Sequence, residues 1–267
     1  MVHDATHASV TRPVFRTLRW AGFLLGFSLG GFFDGILLHQ VLQWHHLLSN
    51  VQAAALQDIR AQMLADGLFH VLMYFIAAWA IYLLWKARAG HAEPGAGRTL
   101  VGRALIGFGA WHIVDGVFSH WITGIHRIRV DSPDPLFWDL LWFSLFGVAP
   151  LVIGWLVERR RGHGDGGRAT AASLSIAAAV AGPLAALPAG GNDQLMVMFR
   201  PGLEGAAAFD ALAAVDARVL WVDRSGGLWA VSMPNPAQAR ELYGKGALLV
   251  SNSAMAIGCL AWTRTRI

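Results

Sequence analysis

Charge and cysteine are what this chain has little of. Only 14% of its 267 residues are Asp, Glu, Lys or Arg, while 55% are hydrophobic, a balance well outside that of a soluble globular domain. Its one cysteine, Cys259, excludes an intramolecular disulfide framework and any thiolate zinc site. The net charge of +4 comes mainly from arginines beside apolar runs, which marks membrane orientation and not nucleic-acid binding. The first apolar run follows Arg12, Arg16 and Arg19, as in a signal peptide. It lacks a clear small-x-small cleavage site before its polar residues, and cleavage after it would discard Asp34 and His39, so it reads as an uncleaved anchor.

Apolar stretches lie at 17–47, 64–86, 101–126, 135–157 and 169–188, each near the ~20 residues that cross a bilayer. Lys86, Arg88, Arg98 and Arg103 flank the second loop, and Arg159, Arg160, Arg161 and Arg168 the fourth. The positive-inside rule then predicts a multi-pass membrane protein with its N-terminus in the cytoplasm and its C-terminus outside. The expected fold is an all-α integral membrane four-helix bundle over 1–160. A glycine-rich linker and a fifth transmembrane helix follow over 161–190, and a soluble extracytoplasmic α+β module over 191–267. In that module, strands are expected at 194–199, 218–223, 228–233 and 247–250, with helices at 206–215 and 236–243 and a further apolar run at 257–262. The order β-α-β-β-α-β predicts a ferredoxin-like arrangement, with a docking role toward a respiratory or other extracytoplasmic protein.

The first span contains Asp34, Gly35, His39 and His45, and the third repeats the pattern as Asp115, Gly116, His120 and His126. D-G-x3-H-x5-H twice within apolar segments points to function, because ionisable residues at membrane depth are costly. The duplication also implies two parallel helix hairpins related about an axis along the membrane normal. The ionisable residues gather toward one end of the spans, whereas 77–85 and 146–156 contain none. His39, His70 and His120 count to a similar depth, about 10 Å from the outer helix ends at 1.5 Å per residue. Asp66 with His70, at i,i+4, and His112 with Asp115, at i,i+3, can each present two side chains on one helix face. The expected metal ligands are therefore His39, Asp66, His70, His112 and His120, with Asp34 and Asp115 as proton carriers. His45, His46 and His126 are read as interfacial, and His3, His7, His91 and His163 as uninvolved. Gly22, Gly26 and Gly30, at spacings of four, predict close approach of the first helix to a neighbour. Trp44, Trp121, Trp138 and Trp142 fit an outer aromatic belt facing lipid.

The stretches GGFFDGILLHQVLQWHH, DGLFH and WHIVDGVFSHWITGIHRIR resemble a family of predicted four-helix bacterial membrane proteins catalogued as a domain of unknown function. The resemblance covers about 17–160 and implies that Asp34, His39, Asp66, His70, Asp115 and His120 are family-type residues. It implies no activity. The spacing of Asp66 and His70 is also similar to a copper-ligand pair in membrane-bound copper monooxygenases, but the further histidine expected there is Leu83.

Imidazole and carboxylate without thiolate suit copper or zinc, and iron less. The expected function is a non-haem metal site near the outer face, serving redox or hydrolytic chemistry or metal handling; whether it is an enzyme stays open. The alternatives are a b-type haem electron carrier, with His39 and His120 as axial ligands, and a non-catalytic metal delivery factor for a respiratory enzyme. His70→Ala and His120→Ala should lose the metal, and His46→Ala should keep it.

Overall fold

The computed structural model describes residues 2–42, 44–57, 59–160, 167–185, 193–223 and 225–251. Among these, four helices are long and apolar enough to cross a membrane: Pro13–His39, Ala61–Lys86, Ala96–Ile122 and Pro135–Arg159. The first belongs to α1 (Val2–Asp34) and the second to α2 (Ile59–Lys86). The third starts as α3 (Ala96–Asp115). The fourth comprises α4 (Pro135–Trp142), a π-helical stretch Phe143–Val148 and α5 (Ala149–Arg159).

Glycine decides which helices touch. A Cβ on Gly26 would sit 1.8 Å from the Ala104 carbonyl oxygen, and one on Gly107 would sit 1.9 Å from that of Phe23. The backbones of α1 and α3 are therefore in direct contact, as small-residue ridges permit. Gly22 meets Leu100 and Arg103, and Gly30 meets Phe108 and Trp111, so the two helices run parallel. The mates run antiparallel to them: Gly31 faces Met73 and Gly35 faces His70, while Gly102 faces Gly154 and Gly109 faces Gly147. The order across the helices is thus α2, α1, α3, α4–α5, with the two repeat-bearing helices in the middle. Leu64, Leu68 and Phe75 of α2 and Ile153 and Leu156 of α5 are exposed, an apolar outward face suited to lipid.

Both repeat helices change character at the same place. After Asp34 the chain winds as a π-helix over Gly35–Val41, and after Asp115 over Gly116–Ile122. The amides of Leu42 and Thr123 reach back five residues, to Leu37 and Phe118. The chain then turns inward instead of continuing. The Trp44 amide bonds the Leu38 carbonyl, the Ile125 amide bonds that of Ser119, and Gly124 takes φ +65°. The expected spans 17–47 and 101–126 therefore end earlier as helix, at Val41 and Ile122.

Beyond the fourth span, α6 (Arg168–Ala185) packs Ala171 and Ala178 against α1, α2 and α3. Its apolar part, Arg168–Ala181, is shorter than the four spans. The last residues of the expected fifth crossing, like most of the linker, lie outside the described residues. The remainder forms a four-stranded antiparallel sheet in the order β2-β3-β1-β4, from β1 (Gln194–Phe199), β2 (Arg218–Val222), β3 (Leu228–Ser232) and β4 (Ala247–Ser251). The helices α7 (Gly205–Ala213) and α8 (Glu241–Gly244) share one core with it, built on Val197, Phe199, Leu212, Val231 and Leu242. Pro236 opens a 3-10 turn to Arg240 ahead of α8, which shortens the expected helix. The apolar run at 257–262 lies outside the described residues.

Candidate metal centre

The π-turns bring each repeat's Asp and first His together. Positions five apart diverge by about 140° around an α-helix, whereas an i→i+5 ladder stacks the fifth residue close to the first. The inward loops then return the second His of each copy. As a result Asp34, His39 and His45 offer ligand atoms all within 4.8 Å of one another, and so do Asp115, His120 and His126.

The two sets adjoin. Ring centroids lie 4.6 Å apart for His39–His45, 4.8 Å for His120–His126 and 4.6 Å for His45–His126, the last pair stacked within 6°. His45 and His126 are buried, at 0% and 1% exposure, which corrects the interfacial reading of both. A straight helix would have carried them to the membrane surface. The turn after each π-segment folds them back, where irregular backbone is tolerated because it is buried in protein.

Every ring in the cluster has its Nδ1 within 3.1 Å of an oxygen. His45 Nδ1 donates to the Ile128 carbonyl at 2.9 Å, and His126 Nδ1 to that of Leu47 at 3.0 Å. Each loop thus fixes the other's histidine. His39 Nδ1 lies 3.0 Å from Asp66 Oδ1, and His120 Nδ1 lies 3.1 Å from Asp139 Oδ1. Carbonyl and carboxylate oxygens only accept, so the proton of each neutral ring belongs on Nδ1 and the lone pair on Nε2. Burial first, then the neighbouring His126 and His39, holds His45 well below the ordinary histidine value, which keeps its ring neutral.

Asp66 and Asp139 are positioned alike. Asp66 accepts from the Leu47 amide at 2.9 Å and meets His46 Nδ1 at 2.6 Å. Asp139 accepts from the Ile128 amide at 3.0 Å and from Arg127 Nη1 at 2.7 Å. His46 therefore occupies, in the first half, the place that Arg127 takes in the second. It is buried at 1% exposure, not interfacial.

Four Nε2 atoms remain. Those of His39, His45, His120 and His126 are buried without a hydrogen-bond partner among the described residues, as is Asp34 Oδ1. An unsatisfied buried polar atom costs about 1–3 kcal/mol, a cost that a bound ligand would offset. Asp115 makes the same point. Its carboxylate lies 3.1 Å from His120 Nε2 and 3.4 Å from His126 Nε2, where lone pairs repel unless a positive charge lies between them. A proton or a metal ion meets that need, and a donor set of imidazole and carboxylate fits N/O-preferring transition metals.

The residues expected as ligands divide in two. His39 and His120 sit in the cluster together with Asp34 and Asp115, the expected proton carriers, whose carboxylates lie among the possible ligand atoms. Asp66 spends its oxygens on His39, His46 and the Leu47 amide, one layer out. His70 turns Nδ1 to the Asp66 carbonyl at 2.8 Å and stacks on Phe32. A Cβ on Gly35 would come 2.7 Å from its Nε2. His112 accepts from Trp142 Nε1 at 3.3 Å and is ringed by Phe33, Phe108 and Phe146. That bond and a 9% exposure take Trp142 out of the expected aromatic belt. His45, His126 and Asp139 are the residues of the cluster that the depth count missed, although the repeat already contained both histidines.

A family model described as "Predicted membrane protein (DUF2243)" matches residues 21–161, which takes in the four spans from early α1 and the whole cluster. Neither a curated protein nor a solved structure matches the chain.

Proposed function

The chain belongs to the DUF2243 family of predicted membrane proteins, and we propose that it holds a pair of non-haem transition-metal ions between its two repeats. Asp34, His39 and His45 would bind one ion, and Asp115, His120 and His126 the other. The observation that carries this reading is the convergence of four buried Nε2 atoms without a hydrogen-bond partner among the described residues, each on a ring whose Nδ1 lies within 3.1 Å of an oxygen. Orientation of a ligand histidine through its second nitrogen is how protein metal sites fix ring and tautomer. Two ions suit the geometry better than one, because the ligand atoms fall into two sets of three. The parallel rings of His45 and His126 also lie face to face instead of splaying toward a common point.

Two imidazoles and one carboxylate per ion leave coordination positions open, the pattern of reacting sites and not of structural ones. Copper, zinc and iron all accept such donors, and the ions would supply redox or Lewis-acid chemistry. The protein's part is to orient the four rings through Asp66, Asp139 and two loop carbonyls, and to exclude water by burial. Haem fits less well. The cluster's rings touch one another at 4.6–4.8 Å, and a macrocycle cannot lie between rings in contact.

The C-terminal module, whose β-α-β-β-α-β order and antiparallel sheet we read as ferredoxin-like, would dock a protein partner on the side of the metal centre. Met63, one turn before Asp66, packs on the sheet residues Met196, Leu228 and Ala230, which supports that placement. The test of the metal reading is a visible spectrum with elemental analysis of detergent-purified protein. Stoichiometric Cu, Zn or Fe without a Soret band is expected. A strong Soret band, or no metal above background, contradicts it.

A further inference from the structure

At the other end of the helices, away from the histidines, a cleft of about 630 Å³ opens between α1 and α3. Its polar wall carries Arg16, Arg19 and Arg103, and its apolar wall includes Trp20, Phe23 and Ile106. One carboxylate serves two of the three guanidiniums. Glu158 Oε1 lies 2.9 Å from Arg19 Nε and 3.0 Å from Arg103 Nε, while its Oε2 lies 2.9 Å from Arg103 Nη2. Arg16 is exposed and has no ion-pair partner among the described residues. The cleft mouth therefore keeps two positive charges in excess.

Depth separates its two characters. Arg16 stands three residues into the span that starts at Pro13, about 5 Å along the helix, at head-group level. Phe23 stands ten residues in, about 15 Å along, within the hydrocarbon. A free phosphate would use only the first wall. An amphiphile with an anionic head and an acyl chain uses both, and basic pockets between membrane helices bind such head groups. The volume is also in the range of small-molecule sites.

We propose that this cleft binds an anionic phospholipid, with the phosphate on Arg16, Arg19 and Arg103 and the chain along Trp20, Phe23 and Ile106. The site lies apart from the metal centre and does not depend on it. Native mass spectrometry of the full chain tests it, with phosphatidylglycerol and phosphatidylcholine of matched acyl chains as probes. Phosphatidylglycerol should be retained in preference. Arg16→Gln should weaken that retention about fivefold, the effect of one cation near a membrane surface. Arg19→Gln should act likewise while leaving the Arg103–Glu158 pair in place. Arg88→Gln removes the same charge from the same end, where Arg88 lies over Trp85 at 4.7 Å, and should change nothing. Equal retention of both lipids, or equal loss from Arg88→Gln, overturns the proposal. Displacement by millimolar inorganic phosphate overturns it in favour of a free-anion site.

Discussion

At the scale of single residues, the site separates groups that could touch a metal from groups that aim them. The difference lies in which atoms are already engaged. His39, His45, His120 and His126 each have Nδ1 within 3.1 Å of an oxygen and an Nε2 without a hydrogen-bond partner among the described residues, whereas both oxygens of Asp66 and Asp139 are engaged by neighbouring side chains and loop amides. Asp66→Asn and Asp139→Asn are therefore expected to weaken metal affinity about 10–100-fold without abolishing it, the usual effect of losing such a partner. Competition titration against a chelator measures this. His70→Ala, by contrast, should keep its metal, opposite to the expectation from spacing alone. Counting along an ideal helix puts His70 level with His39 but does not show that its ring turns to its own backbone. Affinity unchanged in both Asn variants would remove the positioning role.

At the scale of elements, the sequence announced the contacts of α1 well and its end badly. The Gly22, Gly26 and Gly30 ridge was readable because only a missing Cβ lets two backbones meet, and all three do face α3. The strands of the C-terminal module were readable for a similar local reason, their apolar runs being bounded by turn residues; β1 spans Gln194–Phe199 as expected. The π-turns were not. Their hydrogen bonds shift by one residue without a residue type that demands it, and the inward turns that follow carry His45 and His126 from the surface into the core. Since the cluster depends on the register of α1 against α3, Gly26→Val should disturb both. A Cβ 1.8 Å from a backbone oxygen cannot be relieved by rotating a side chain. A loss of at least the 1–3 kcal/mol typical of overpacking (roughly) is expected, read as a lower Tm with reduced bound metal. Gly67→Ala, where no atom lies within 4 Å, is the matched control, and an equal Tm for the two variants would show that the ridge is not a close contact.

At the scale of the whole molecule, duplication explains the architecture. Two helix hairpins each contribute an Asp, two His and a positioning Asp, and each half's loop carbonyl fixes a histidine of the other. Neither half holds its second histidine by itself, so the centre exists only where the halves meet. The halves have also diverged: His70 faces Gly35 where Phe143 faces Gly116, and His112 has no histidine counterpart in the first half. The measurement that tests the paired centre most directly is the metal-to-protein ratio of wild type, His45→Ala and His126→Ala, purified side by side. Two ions per chain are expected in wild type, falling to one or fewer in each variant. A ratio unchanged in both variants would contradict the account, because the metal would then be held by other residues.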